Sequence, residues 1–322
     1  TLLLKPALRV WCIDGVFGDR NAYSVRGIKV SIIEKAISKL DQLGAPRPTE
    51  PLAKHDTLIE RAVSRVEPTT VPAHEPAKVS RHCDINLARL RLAGMITPED
   101  AKSQIAEEFR IIKRPLIMNA FQGSTAATRN RNLIMVTSSF PGEGKSFCSI
   151  NLAMSIAMEM DHRVLLVDAD VAKPSLPGFL GLDVDRGLLD VLLDSSLGLS
   201  DVMIKTNVEK LTLLPAGRGH RHSTEILASE AMNRLLQDLA SRYRDRIIIF
   251  DSPPLLATTE SRVLAGHVGQ IVMVVESDKT TQEALREALQ QIESCELISL
   301  LLNKSNSSSG TDYYGYVGGY GN

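Results

Sequence analysis

Three stretches of the chain hold phosphate-binding or acidic groups where apolar runs end. The first is "TSSFPGEGKSF", residues 137–147, which follows one apolar run and opens a helical one. It fits the phosphate-loop pattern G-x-x-x-x-G-K-[ST], with Ser139 in the place of the first glycine. Ser139, Phe140, Pro141, Gly142, Glu143, Gly144, Lys145, Ser146 and Phe147 are therefore the expected binding loop. The two glycines let the backbone approach a polyphosphate, Lys145 reaches its outer phosphates, Ser146 offers a hydroxyl to Mg²⁺, and the following helix aims its positive end at the anion. The second stretch is "LLVDADVAKPS", with Asp168 and Asp170 two apart at a strand's end. Two acids there can hold Mg²⁺ and accept a proton from an attacking hydroxyl. The third is "IIIFDSPPLL", in which Asp251 follows a run of apolar residues, as expected of an acid that orients the metal. Each motif has a plainer reading: a glycine-rich turn, a solvated turn, an apolar run that ends in Asp. Together they point to a Mg²⁺-nucleotide site built from Lys145, Asp168, Asp170 and Asp251, with Ser146, Asp168 and Asp251 nearest the metal. Asn303, at the end of "LLLNKS", stands where an amide could read an adenine edge or simply cap the strand. "GRGHRH", residues 217–222, reads as a solvated basic loop that could also approach phosphates or an acidic tail.

The elements that position these groups alternate. Strands are expected at 132–138, 163–167, 211–214, 246–250, 270–275 and 297–302, with helices at 145–159, 224–242 and 280–293. This alternation implies an α/β fold, a mostly parallel sheet with helices on both faces, and ligands bind such sheets beyond the carboxyl ends of their strands. Upstream, a helix over 98–119 puts Ile105, Phe109, Ile112 and Leu116 on one face. Residues 45–97 read as a proline-rich linker, with a possible short helix near 57–66. Residues 30–44 hold an amphipathic helix with a capping box of Ser31 and Glu34. Residues 1–29 show no clear period, and because Val30 could mark a start, they are expected to lie upstream of the native protein.

A formal net charge of −1 gives no reason to expect a nucleic-acid partner, which would select for a basic face. No apolar run approaches the length of a membrane span. The four cysteines are scattered without a CxxC pair, which suits a reducing compartment better than a disulfide framework. The last segment, 305–322, cannot build a core: "DYYGYVGGYGN" gathers Tyr313, Tyr314, Tyr316 and Tyr320, four of the chain's six tyrosines, among glycines.

These motifs, spanning about 100–322, resemble the bacterial tyrosine kinases, which pair a phosphate loop with two acidic strand ends and a tyrosine-rich tail. Phe140 stands where partitioning ATPases of the ParA/MinD kind carry a signature lysine, which counts against that alternative of an ATPase switch with an adhesive tail. The family's E-x-x-R-x-x-R helix is matched by Glu107, Arg110 and Lys113 in "EEFRIIK", residues 107–113. The resemblance implies a P-loop NTPase-type kinase domain over 98–304 that uses ATP and Mg²⁺. It implies an oligomeric ring contacted through Glu107, Arg110 and Lys113, and autophosphorylation of Tyr313, Tyr314, Tyr316 or Tyr320 in trans. "SIIEKAISKLDQL", "AEEFRIIKRPLIMNAF" and "VGQIVMVVE" look like the autokinases of exopolysaccharide loci that carry the exosortase system. That likeness implies a cytoplasmic kinase held at the inner membrane by a membrane-spanning chain-length (co-polymerase) protein, and a cognate tyrosine phosphatase. The sequence departs from the family in two places. Lys113 replaces the last arginine of the helix, and Ala172, followed by Lys173, stands where the family's D-x-D-x-R motif has its arginine.

Overall fold

The computed structural model describes residues 7–14, 81–122 and 130–305. The 31–43 helix, the proline-rich segment up to residue 80 and the four tail tyrosines lie outside these residues.

Among the described residues, nine strands form one sheet in the order β1-β9-β8-β3-β7-β4-β6-β5-β2. They are β1 (Ala7–Asp14), β2 (Arg81–Cys83), β3 (Leu133–Ser138), β4 (Arg163–Asp168), β5 (Ile204–Thr206), β6 (Leu211–Leu214), β7 (Arg246–Asp251), β8 (Gln270–Glu276) and β9 (Leu297–Ser305). Neighbouring strands run parallel except at two places: β1 on β9 and β5 on β6 are antiparallel. The central strands are apolar on both faces, as parallel strands covered twice must be. Alternation still sorts their side chains. Ile134 and Val136 of β3 join Val164, Leu166, Ile247 and Ile249 in one core. Leu133 and Met135 join Leu165, Val167, Ile248 and Phe250 in the other.

On the first face pack α1 (Leu87–Leu92), α2 (Gln104–Gln122) and α3 (Lys145–Ala157). Phe109, Ile112 and Leu116, at helical spacing on α2, are all buried there. The second face is covered in part by α5 (Leu188–Leu193), α8 (Glu230–Arg242) and α9 (Glu260–Ala265), with Met232, Leu236 and Leu239 of α8 inward. The remaining helices are α4 (Leu176–Leu180), α6 (Leu199–Val202), α7 (Ser223–Leu227) and α10 (Gln282–Gln290).

The structure moves several boundaries. The linker expected to end at 97 gives way to folded chain from residue 81. β2 pairs in parallel with β5, and Ile85, Leu90, Met95 and Ile96 are buried. A three-residue strand shows no alternation to read, and its partner lies more than a hundred residues away. The helix expected at 98–119 is a 3₁₀ turn, Pro98–Asp100, followed by α2. The helix expected at 224–242 is two, because Ser229 caps α8 by accepting from the Met232 amide. β1 lies inside the patternless first 29 residues and pairs with β9 from Ala7↔Ser305 to Asp14↔Leu297. Among the described residues, no helix is long and apolar enough to cross a membrane.

Candidate active site

β3, β4 and β7 are adjacent in the sheet, so their carboxyl ends deliver the loop and both acid motifs to one place. The loop after β3 turns through Gly142 (φ 88°) and Gly144 (φ 100°), left-handed values that favour glycine. Gly144 also lacks room for a side chain, since a Cβ there would lie 2.1 Å from the Asn303 amide nitrogen. Helix α3 begins at Lys145, so the loop ends on a helix amino terminus, a ready anion site.

Lys145 Nζ lies 2.9 Å from Asp170 Oδ2. Burial works against this ammonium, but the charge of Asp251 and the hydrogen bond to Asp170 outweigh it and raise its pKa. Asp168 and Asp251 are register partners at the ends of β4 and β7. Both are fully buried. Asp168 Oδ2 accepts from the backbone amides of Ser175 (3.1 Å) and Leu176 (3.0 Å), the first residues of the turn into α4. Burial and the neighbouring charge of Asp251 nevertheless push its pKa up to about 7. Asp251 Oδ1 accepts from Ser149 Oγ at 3.1 Å, and burial raises its pKa to about 6 against the pull of Lys145. Asp168 Oδ1 and Asp251 Oδ2 are buried without a hydrogen-bond partner.

Two orphaned carboxylate oxygens beside the Ser146 hydroxyl are a hard-oxygen donor set, and they fit a magnesium ion. Among the described residues, no cluster of three His, Cys, Asp or Glu side chains is arranged to hold a metal alone. Magnesium would complete its shell from water and nucleotide oxygens, as is usual for it.

The structure thus brings Lys145, Ser146, Asp168, Asp170 and Asp251 together. It also fixes the surroundings of Asn303, Lys113 and Lys173. Asn303 is buried and its amide is engaged: Nδ2 donates to the Glu143 carbonyl (2.8 Å) and Oδ1 accepts from the Lys304 amide (2.9 Å). It braces the loop; an adenine edge and a strand-end cap were the two roles open to it. Lys113 is buried too, donating to the Ser155 carbonyl and pairing with Glu159 Oε1, both at 2.6 Å. This satisfies one of the open carbonyls at the C-terminus of α3. Lys173 gives only its backbone amide to Asp170 (3.2 Å), and its side chain is exposed beside Ala172. Glu107 and Arg110 form an ion pair on the surface of α2.

Some contributors carried no motif. Ser149, one turn into α3, holds Asp251, and Ser175 Oγ donates to Ser146 Oγ at 3.0 Å. The i, i+4 spacing of Lys145 and Ser149 on a helix face was the one sequence signal for the former. Glu143 turns its carboxylate back to accept from the Phe140 amide (2.8 Å) and from Thr280 Oγ1.

Comparison with known proteins agrees with this arrangement. Residues 131–304 match the AAA domain family. The tyrosine-protein kinase YwqD of Bacillus subtilis is 30% identical over 70% of this chain and 91% of its own length. The putative tyrosine-protein kinase EpsB of Ralstonia nicotianae is 34% identical over 59% of this chain, but only 25% of its own length. Among solved structures, the chimerical protein CapA2B2 superposes with a TM-score of 0.55 at 27% identity, covering 69% of this chain and 92% of its own. A phosphate loop closed by two buried strand-end acids, in a chain so similar to YwqD over nearly all of that protein's length, settles the family: this chain is a member of the bacterial tyrosine-protein kinases.

Proposed function

We propose that the chain transfers the γ-phosphoryl group of ATP to tyrosyl hydroxyls of its own C-terminal cluster, reaching the tail of a neighbour in an oligomer. The observation that carries this reading is the Asp168 carboxylate. It is buried, has one oxygen free of protein partners, and its pKa stands at about 7. Without metal an acid of that strength is half ionised near neutrality, and its free oxygen is placed to take up a proton.

A tyrosyl hydroxyl has a pKa near 10, so complete ionisation by such a base before attack would cost roughly 4 kcal/mol. The proton therefore leaves as the new bond forms. The tyrosyl oxygen bonds to the γ-phosphorus, the bond from that phosphorus to the β–γ bridging oxygen breaks, ADP leaves, and the proton passes to Asp168 Oδ1. Lys145 neutralises the phosphate oxygens after letting go of Asp170, whose carboxylate holds it ready. Ser146 and Asp251, with Asp168 through water, would hold magnesium, which screens charge on the transferring group. The Ser175 and Leu176 backbone amides keep Asp168 from turning away.

For the oligomer, support comes from α2. Its outer face carries the Glu107–Arg110 pair beside Ile111 and Met118, two large apolar side chains left 59% and 54% exposed. Resemblance to the exopolysaccharide autokinases supports a membrane-spanning chain-length protein as activator, a tyrosine phosphatase as counterpart, and a role in polymer export.

Replacing Lys145 by Met tests the core of the reading. The variant should still fold cooperatively but form no phosphotyrosine with magnesium ATP, read by anti-phosphotyrosine blot. Wild-type labelling of this variant would overturn the assignment.

A further inference from the structure

The phosphate loop is held from outside by the end of β9, and the residue that completes the hold is Lys304. Its Nζ donates to the Gly142 carbonyl at 2.7 Å and lies 3.2 Å from Glu276 Oε2. Glu276 sits opposite Asn303 at the end of β8 and also binds Lys279 at 3.2 Å. In a regular strand Asn303 and Lys304 would project to opposite faces. Lys304 instead has φ 59°, a left-handed value for a non-glycine residue, and both side chains reach the same loop.

The consequence lies in the peptide planes. In a trans peptide the carbonyl and the N–H of the next residue point opposite ways. Fixing the Gly142 carbonyl on Lys304 turns the Glu143 N–H away from β9. Fixing the Glu143 carbonyl on Asn303 does the same for the Gly144 N–H. Successive N–H groups turned to one side make an anion-binding concavity. Thr280, on the turn after β8, ties down the Glu143 side chain and completes the brace.

We propose that Lys304, aligned by Glu276, is a positioning residue for nucleotide: it sets the direction of a loop N–H that binds phosphate, without itself joining the reaction. This rests on the loop binding ATP, as proposed above. Nothing in a phosphate-loop motif specifies such a residue, which stands 162 positions away along the chain from the carbonyl it holds.

The test is equilibrium binding of a fluorescent ATP analogue with magnesium, together with steady-state kinetics, on full-length wild type, Lys304→Met, Lys304→Gln, Lys304→Arg and Glu276→Gln. A hydrogen bond to a charged group contributes enough that Lys304→Met and Lys304→Gln should each weaken binding roughly tenfold. KM for ATP should rise in step while kcat changes little, and the nucleotide-free unfolding midpoint should stay put, since the side chain is 42% exposed. Lys304→Arg should recover most of the affinity. Glu276→Gln should lose less than Lys304→Met, and the double variant should lose no more than Lys304→Met alone. If the wild type binds the analogue and Lys304→Met binds it equally well, the positioning role is wrong. Failure of the wild type to bind at all would instead overturn the ATP reading beneath it.

Discussion

Asp168 and Asp251 are paired across two strands, and Lys145, whose charge pulls on Asp251, gives its hydrogen bond to Asp170. In metal-free protein this has a cost that depends on pH. The Asp168 carboxyl titrates near 3.8 when unfolded and at about 7 when folded. Between those values the folded state keeps a proton that the unfolded chain has released, so stability falls as pH rises from about 4 to about 7 and then levels off. Asp168→Asn should therefore raise the unfolding midpoint of the metal-free protein at pH 8 by several degrees. The gain should shrink at pH 5 and vanish below pH 4, while phosphotyrosine formation is lost. An unchanged midpoint at pH 8 would mean that the buried pair is not strained. At this scale the sequence was legible where a motif fixes chemistry: Lys145, Ser146, Asp168 and Asp251 stand together as their spacing implies. It was not legible where one side chain can serve two ends. An amide at a strand end suits an adenine edge or a strand-end cap, and nothing in the spacing announces the Glu143 carbonyl that Asn303 Nδ2 holds.

Helix α2 carries two different jobs within one motif. Glu107 and Arg110 face outward, whereas Lys113 lies across the end of α3. Substitutions should separate them. Lys113→Met strands the Ser155 carbonyl and the Glu159 carboxylate, which the lysine holds below the usual carboxylate range chiefly by hydrogen bonding. Glu159 is partly exposed and can turn to water, so the loss should be about 1–3 kcal/mol in chemical denaturation, the range for an unsatisfied buried group. Arg110→Glu should leave stability nearly unchanged and shift unphosphorylated protein toward monomer in analytical ultracentrifugation. The reverse pattern would assign the interface to Lys113 after all. The periodicity of α2 told which residues are buried in the core, because Phe109, Ile112 and Leu116 repeat at helical spacing. It could not tell that Lys113, next to Ile112, is buried as well, since a lysine is read as solvated until its partner is located. β1 and β2 escaped the sequence for a related reason. Their pairing partners β9 and β5 are remote, and neither strand alternates strongly enough to announce an edge.

Across the whole molecule, the sheet puts β9 two strands from β3, and residues 306–322 continue directly from its end. Tyr313 lies eight positions beyond Ser305, a reach of at most about 29 Å. That length does not by itself choose between the chain's own site and a neighbour's. A short path back would have to bend sharply and still present successive tyrosines in line, which an adjacent subunit does not require. Mixing full-length Lys145→Met protein with active chain truncated after Gly310 should therefore place phosphate on the inactive chain, at a rate that rises with concentration. An unlabelled mixture, with full-length protein labelling itself at a rate independent of concentration, would mean that transfer stays within one chain. The α/β class and the central strands were legible because buried parallel strands leave apolar runs that little else in a soluble chain explains. The tail's root was not, since its contacts join residues at opposite ends of the domain sequence. Those contacts give the molecule a mechanical character. A pull directed along β9 would load its hydrogen bonds to β8 on one side and β1 on the other, so the ladder would bear it in shear, many bonds sharing it at once. Lys304 lies one residue inside the last ladder pair, Ala7↔Ser305, and its other end is the Gly142 carbonyl. A tail gripped by a neighbour would in this sense be a tether whose root, once that pair gives, hangs from the loop that holds the nucleotide.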